Sequence, residues 1–305
     1  MMIVRERPNS LRLLLAWQGS ILPQILPQLV CVIALSAFLL LLNQQALHLL
    51  PDVPITAFSL IGLTLSIFLG FRNNACYERW WEARKLWGNL IAQVRHLDRD
   101  SQLLPDAQRQ LLMHYILAFS RVLHARLRQR PLTTILPELS KSLNPAELQT
   151  LEQRPNPAHD VLSRAHQVLV TCLKQAEVSD ICYAQLNSHL IELANVQAGC
   201  ERILSTPLPF AYSLLLHRTA YLFCLLLPFA LVHSLGYFSP LVVGLLAYSF
   251  FGLDALGNEL EEPFGTQSND LPLDALLRTI EIDILTGLNA ADTPAPLQPQ
   301  RHVLT

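Results

Sequence analysis

The sequence predicts an all-α membrane protein, and three observations carry that prediction. Of its 305 residues, 51% are hydrophobic and 15% are charged, which is too apolar for an ordinary soluble chain. Charge is also unevenly distributed: Asp52 is the only charged residue between Arg12 and Arg72, and none lies between Arg218 and Asp254. Outside these two stretches, apolar residues recur at the three- and four-residue spacing of amphipathic helices, and strand-like alternation is short.

Each charge-poor stretch is long enough to cross a membrane twice, because a hydrocarbon core about 30 Å thick takes roughly 20 helical residues. The first predicts a transmembrane hairpin over residues 24–71, which turns at Pro51 and Asp52. The second predicts a hairpin over residues 219–253, which turns at residues 234–237. The sequence therefore predicts four transmembrane helices.

The remaining sequence is more polar and divides into four segments. It comprises an N-terminal cytoplasmic arm (1–23), a large cytoplasmic helical region (72–218), a cytoplasmic tail (254–289) and a proline-rich, disordered C-terminus (290–305). All 22 lysines and arginines lie outside the two predicted outer loops. By the positive-inside rule, both termini and the central region are therefore predicted to be cytoplasmic.

Local signals place helices in the central region. Asn144 followed by Pro145 predicts the start of a short helix, and Pro207 and Pro209 predict a stop before the third span. Amphipathic or helical patterns predict helices over residues 86–102, 106–129 and 158–204.

The second span has a face that is suited to a pore. Leu63, Ile67 and Phe71 follow at intervals of four and therefore lie on one side of a helix. Several copies of that face around an axis would form a narrow apolar constriction, which gates by excluding water when it is narrow. From periodicity alone, ordinary helix packing or lipid contact explains the same pattern.

Several motifs resemble the bestrophin family, and its bacterial branch most closely. The first two are residues 67–74 (IFLGFRNN) and 77–84 (YERWWEAR), which end the second span and follow it. The others are residues 198–203 (AGCERI), 205–212 (STPLPFAY), 217–224 (HRTAYLFC) and 260–265 (LEEPFG). Their order and their placement relative to the four spans agree with that family.

The resemblance implies a homopentameric ion channel whose five second spans line one pore. It places the hydrophobic neck at Leu63, Ile67 and Phe71. It also implies a second restriction, a cytoplasmic aperture at Ile181 with Asp180 beside it. Without the family, Ile181 would be interpreted as an ordinary buried helix position.

The permeant ion is expected to be a small monovalent cation such as sodium, because five copies of Asp180 would stabilise a cation and repel an anion. The alternative is a chloride or other anion channel of the same architecture, since the animal members of the family resemble chloride channels. Two less favoured alternatives are a secondary carrier and a membrane scaffold. The bacterial resemblance implies location in the cell inner membrane.

No enzyme, cofactor or metal site is predicted. The sequence contains no nucleophile elbow, phosphate-binding loop or dinucleotide-binding motif. Residues 266–270, which follow the PFG motif, contain only one carboxylate, Asp270, whereas calcium requires six to eight oxygen ligands. The expected partners are further copies of the chain, membrane lipids and permeant inorganic ions, with no nucleic acid.

Overall fold

The computed structural model describes residues 2–4, 16–44, 54–300 and 302–305. The α-helices are α1 (Leu22–Gln44), α2 (Ile55–Asp100), α3 (Asp106–Leu127), α4 (Leu136–Leu139), α5 (Pro145–Glu152), α6 (Pro157–Lys174), α7 (Asp180–Ser205), α8 (Phe210–Leu235), α9 (Ser239–Glu261) and α10 (Leu273–Gly287). Short 3-10 helices occupy Ser101–Leu103, Leu132–Ile135 and Gly236–Phe238. The all-α prediction is confirmed.

The strands of the described chain are short and join its two ends. β1 (Met2–Ile3) pairs antiparallel with β2 (Val303–Leu304), so that Met2 lies opposite Leu304. This pairing differs from the expectation of a disordered segment over 290–305. Neighbouring proline-rich residues 292–299 do lack regular secondary structure, but the last residues find backbone hydrogen-bond partners that the linear sequence does not reveal.

The chain divides into two compact units. The membrane unit comprises Glu6–Trp80 and Pro207–Glu262, and the polar unit comprises Met1–Arg5, Trp81–Thr206 and Pro263–Thr305. Helix α2 begins in the first unit and ends in the second.

In the membrane unit, α1 and α9 run antiparallel. The Gln24 side-chain amide near the start of α1 donates to Glu259 Oε1 near the end of α9 at 2.6 Å. Further along α1, the hydroxyls of Ser36 and Ser239 meet at 3.1 Å. Helices α8 and α9 form a hairpin at Gly236, whose φ of 48° lies in the region that glycine adopts without strain.

Within the described residues, three continuous helical segments are long and apolar enough to cross a membrane. They are Leu22–Gln44, Ile55–Leu103 and Phe210–Glu261. The last is divided by the 3-10 helix Gly236–Phe238, where the sequence predicts a turn. The other predicted turn, at Pro51 and Asp52, lies outside the described residues, so the count of four spans stays a prediction.

Helix α2 is longer than the sequence predicts. It continues without a break for 46 residues, whereas the patterns predict a span ending at Phe71 and a separate helix from residue 86. It contains no proline. One row of buried residues at helical spacing runs from Leu65 to Leu97, and this common stripe explains why the polar boundary at Arg72 does not end the helix.

The polar unit is built around α3, whose residues from 115 to 125 are all buried. Asn144 begins α5 as predicted, with a capping box: its side chain accepts from the Glu147 N–H, and its own N–H donates to the Glu147 carboxylate. The single helix predicted over 158–204 is instead two helices. They are separated at 175–179, where Ala176 has a φ of 55° and Ser179 caps α7.

Candidate pore-lining surface

The membrane-unit part of α2 has two unlike faces. Leu65 and Leu69 are buried against the core of α1, α8 and α9. Leu63, Ile67 and Phe71 are 61%, 49% and 64% exposed. Residues two apart on a helix differ by about 200°, so these three side chains point away from the core. The structure thus brings the three predicted neck residues together on one unpartnered apolar face.

The hydroxyls beside this face are satisfied within the helix. Ser59 donates to the Ile55 carbonyl at 2.9 Å, and Ser66 donates to the Gly62 carbonyl at 2.8 Å. Thr64 makes the same four-residue bond at 2.9 Å. Because their protons are already bonded, these residues can face lipid or a dry pore without leaving a donor unmet.

A shallow apolar groove of about 550 Å³ lies beside this face, between α2 and α8. Leu60, Ile61 and Phe68 line it from α2, and Tyr212 and Leu215 line it from α8. The exposed apolar surface therefore extends beyond the neck residues. Surfaces of this kind on a folded chain are typical of contact with other subunits or with membrane.

A buried charge cluster adjoins the neck residues, and sequence reasoning did not find it. Arg72 Nη1 donates to Asp254 Oδ1 at 2.9 Å, and His217 Nδ1 lies 2.7 Å from Asp254 Oδ2. Arg72 Nη2 also reaches Asn258, and it lies 3.5 Å from Glu261 Oε2. The only sequence signal was the run of polar residues that begins at Arg72.

The predicted aperture residues belong to the polar unit. Ile181 and Asp180 lie in the first turn of α7, and both are exposed. Ile181 is 82% exposed, so it does not occupy a buried position within the described monomer. An isoleucine with that exposure at a helix start has no packing role inside its own chain.

In the polar unit, hydrogen bonds from histidines lower the pKa of two carboxyl groups. His189 hydrogen-bonds Asp100 at 2.9 Å, and this bond, assisted by Gln185, holds the pKa of the Asp100 carboxyl below its usual value. His124 lies 2.6 Å from Asp274 and lowers the pKa of that carboxyl in the same way, against the opposing effect of burial.

Among the described residues, no group of three or more histidines, cysteines or carboxylates is arranged to hold a metal ion. After the PFG motif, the Asp270 carboxylate accepts the backbone N–H of Gln267 at 2.6 Å. This acid therefore stabilises a local turn.

Comparison with known proteins identifies the family. A family model described as Bacterial/Fungal Bestrophin protein matches residues 2–286. The chain belongs to this bestrophin family. A bacterial bestrophin homolog from Klebsiella pneumoniae, known from a crystal structure, has a TM-score of 0.83 and 37% identity; the match covers 88% of this chain and all of that one.

Two curated bestrophin relatives carry the same descriptive name, voltage-dependent anion channel-forming protein. The one from Mesorhizobium japonicum is 45% identical over 292 residues, covering 95% of this chain and 93% of the relative. The one from Escherichia coli K12 is 42% identical over 303 residues, covering 99% of each.

These matches confirm the predictions of a bestrophin, of a helical membrane protein and of a channel protein rather than an enzyme. They favour the anion alternative over the cation expectation, because the relatives are named for anions. The neck and aperture residues stay predictions.

Proposed function

We propose that this bestrophin is one subunit of a homopentameric channel that passes small monovalent ions, with anions favoured, through a hydrophobic neck. The observation that carries the proposal is the exposed face of α2. Leu63, Ile67 and Phe71 point away from a well-packed core, and a ring of α2 helices gives that face a common axis. A ring closes when each copy presents the same two flanking surfaces to its neighbours.

The neck acts as a gate because its lining offers no hydrogen bonds to water. Three apolar side chains per subunit, repeated around the axis, make a passage from which water and hydrated ions withdraw when it is narrow. A small outward movement rewets the passage. Phe71 has the largest of the three side chains, so its truncation widens the neck most.

A second restriction at Ile181 sets a further barrier. Ile181 and Asp180 are both exposed at the start of α7, so five copies would form an apolar ring beside an acidic ring. The acidic ring favours cations, whereas the positive end of the α7 dipole favours anions. Because these two effects oppose each other, the support for anions comes from the names of the relatives.

The channel is proposed to lie in the bacterial inner membrane with both termini in the cytoplasm. The support is the placement of all lysines and arginines outside the predicted outer loops. Lipids surround the remaining apolar surfaces, which include exposed leucines of α8 and α9.

Planar-bilayer recording of the purified full-length protein under a salt gradient tests the proposal. We expect unitary currents in the wild type and larger or longer openings in Phe71→Ala. Leu245→Ala is the matched control, because Leu245 of α9 is also exposed and apolar but lies outside α2; its currents should equal those of the wild type. Equal effects from both substitutions would remove the neck assignment.

The sign of the reversal potential decides the ion. An anion-signed potential supports the main proposal. A cation-signed potential that weakens in Asp180→Asn supports the second candidate, a cation channel selected by the acidic ring. Absence of current from a pentameric sample would instead favour a carrier or a scaffold.

A further inference from the structure

Arg72 follows the neck residue Phe71 and is fully withdrawn from solvent, being 1% exposed. Its guanidinium is paired with Asp254 of α9, which is 3% exposed. A buried cation is tolerated only where its partners hold it closely, and removal of one partner from such a pair is strongly destabilising. The base of the neck is therefore fixed to α9 through the Arg72–Asp254 ion pair and a longer ion pair between Arg72 and Glu261.

The same carboxylate has a second partner, a histidine. His217 of α8 lies 2.7 Å from Asp254 Oδ2, and its side chain is 45% exposed. Tyr221, one turn further along α8, has its ring centroid 4.2 Å from that of the imidazole. Among the described residues, the titratable groups that contact His217 are thus Asp254 and Tyr221, and Arg72 binds the other oxygen of the Asp254 carboxylate.

Close packing leaves the cluster little room to rearrange. A Cβ atom added to Gly257 of α9 would lie 2.6 Å from Asn73 Oδ1 and 3.2 Å from Arg72 Nη1. The first separation is shorter than ordinary Cβ contacts, so Asn73 would have to move, and the second would require a small shift of Arg72. Helix α9 therefore approaches α2 closely at the turn that carries the ion pair.

We propose that Arg72, Asp254 and His217 position the base of the neck, and that proton binding at His217 tightens this cluster and lowers the open probability of the channel. This inference rests on the proposed channel function. Arg72 and Asp254 are positioning residues, since neither lies on the predicted pore face.

The coupling follows from adjacent positions on α2. Arg72 and Phe71 are separated by about 100° around one helix. A movement of α2 that carries Phe71 away from the pore axis therefore also changes the position of Arg72 relative to Asp254. With Nδ1 as the donor, His217 keeps its bond to Asp254 whether Nε2 is protonated or not. A charged imidazole makes the stronger bond. Acid therefore favours the bonded arrangement over any state in which the cluster loosens.

The test is bilayer recording of the full-length channel while the pH is changed from about 8 to about 5.5, one face at a time. On the face where His217 is accessible, we expect the open probability of the wild type to fall about fivefold or more. His217→Gln should remove this response. His159→Gln, a substitution at an exposed histidine of the polar unit, should retain it.

The outcomes separate this inference from the proposed function. Currents whose pH response is the same in wild type and His217→Gln would overturn the inference and keep the channel. If the protein carries no current, thermal unfolding still tests whether protons tighten the cluster. The unfolding temperature of the wild type, relative to that of His217→Gln, should rise as the pH falls. A constant difference between the two midpoints would show that protons do not tighten the cluster.

Discussion

Helix α3 and the first half of α2 are both rich in apolar residues, yet the protein uses them in opposite ways. In α3, nearly every residue from Leu112 to Leu127 is buried inside the polar unit. In α2, only Leu65 and Leu69 are buried between Ile55 and Phe71. Apolar content thus identifies a helix surface that is removed from water, but not what covers it. The surface of α3 is covered by its own chain, whereas in our proposal that of α2 faces membrane, neighbouring subunits and the pore.

The largest expected effect contrasts two phenylalanines. Phe119 of α3 is fully buried, so Phe119→Ala should lower the free energy of unfolding by about 3–5 kcal/mol, since it removes a packed ring and leaves a cavity. Phe71→Ala should cost less than about 1 kcal/mol, because that ring is exposed in the monomer. Denaturant unfolding in detergent, followed by tryptophan fluorescence, measures both. Equal losses would mean that Phe71 is packed as tightly as Phe119.

A smaller effect contrasts two glycines. A Cβ atom on Gly287 would lie 2.5 Å from the carboxylate oxygens of Asp98, which Arg109 holds at 2.8 Å. We expect Gly287→Ala to destabilise the protein by about 2 kcal/mol, because the ion pair must shift. Around Gly88, apart from its chain neighbours and the backbone of its own helix, no heavy atom of the described chain lies within 4 Å of the added Cβ. Gly88→Ala should therefore be neutral or slightly stabilising, as measured by the same denaturation assay.

A loss from Gly88→Ala as large as that from Gly287→Ala would indicate that the open side of α2 near Gly88 is covered in the assembled protein. Comparison of the oligomeric and dissociated forms would then show whether a neighbouring subunit covers it.

The smallest effect depends on pH. The hydrogen bond from His124 lowers the pKa of Asp274 below 3.8, so the folded state favours the carboxylate. The resulting stability is present above the unfolded pKa and is lost as pH falls through the lower folded value. Asp274→Asn should therefore cost about 1 kcal/mol near neutral pH, and the difference from wild type should narrow below about pH 4.

Asp292→Asn is the matched control, because Asp292 is an exposed carboxylate in the same unit. Its stability should follow that of the wild type from neutral to acidic pH. A difference between wild type and Asp274→Asn that stayed constant with pH would contradict a role for the charged Asp274 carboxylate.

Structural features were predictable from the sequence where residues close together in the chain determine them. Asn144 and Glu147 cap α5 because their side chains reach each other's backbone within one turn. The break at 175–179 could not be read as easily, since Ala176 adopts a positive φ without a glycine or proline to announce it. The continuity of α2 was also missed, because it depends on a buried stripe that several partners create.

The sequence by itself determined the helical class, the apolar stretches and the face that carries Leu63, Ile67 and Phe71, because charge distribution and helical periodicity are local properties. Only the tertiary structure joined Arg72 to Asp254 and His217, which are separated by 182 and 145 positions along the chain. Burial makes such a pairing necessary, since an isolated charge cannot be withdrawn from water. The sequence does not state which distant residue supplies the partner; the packing of the helices decides it.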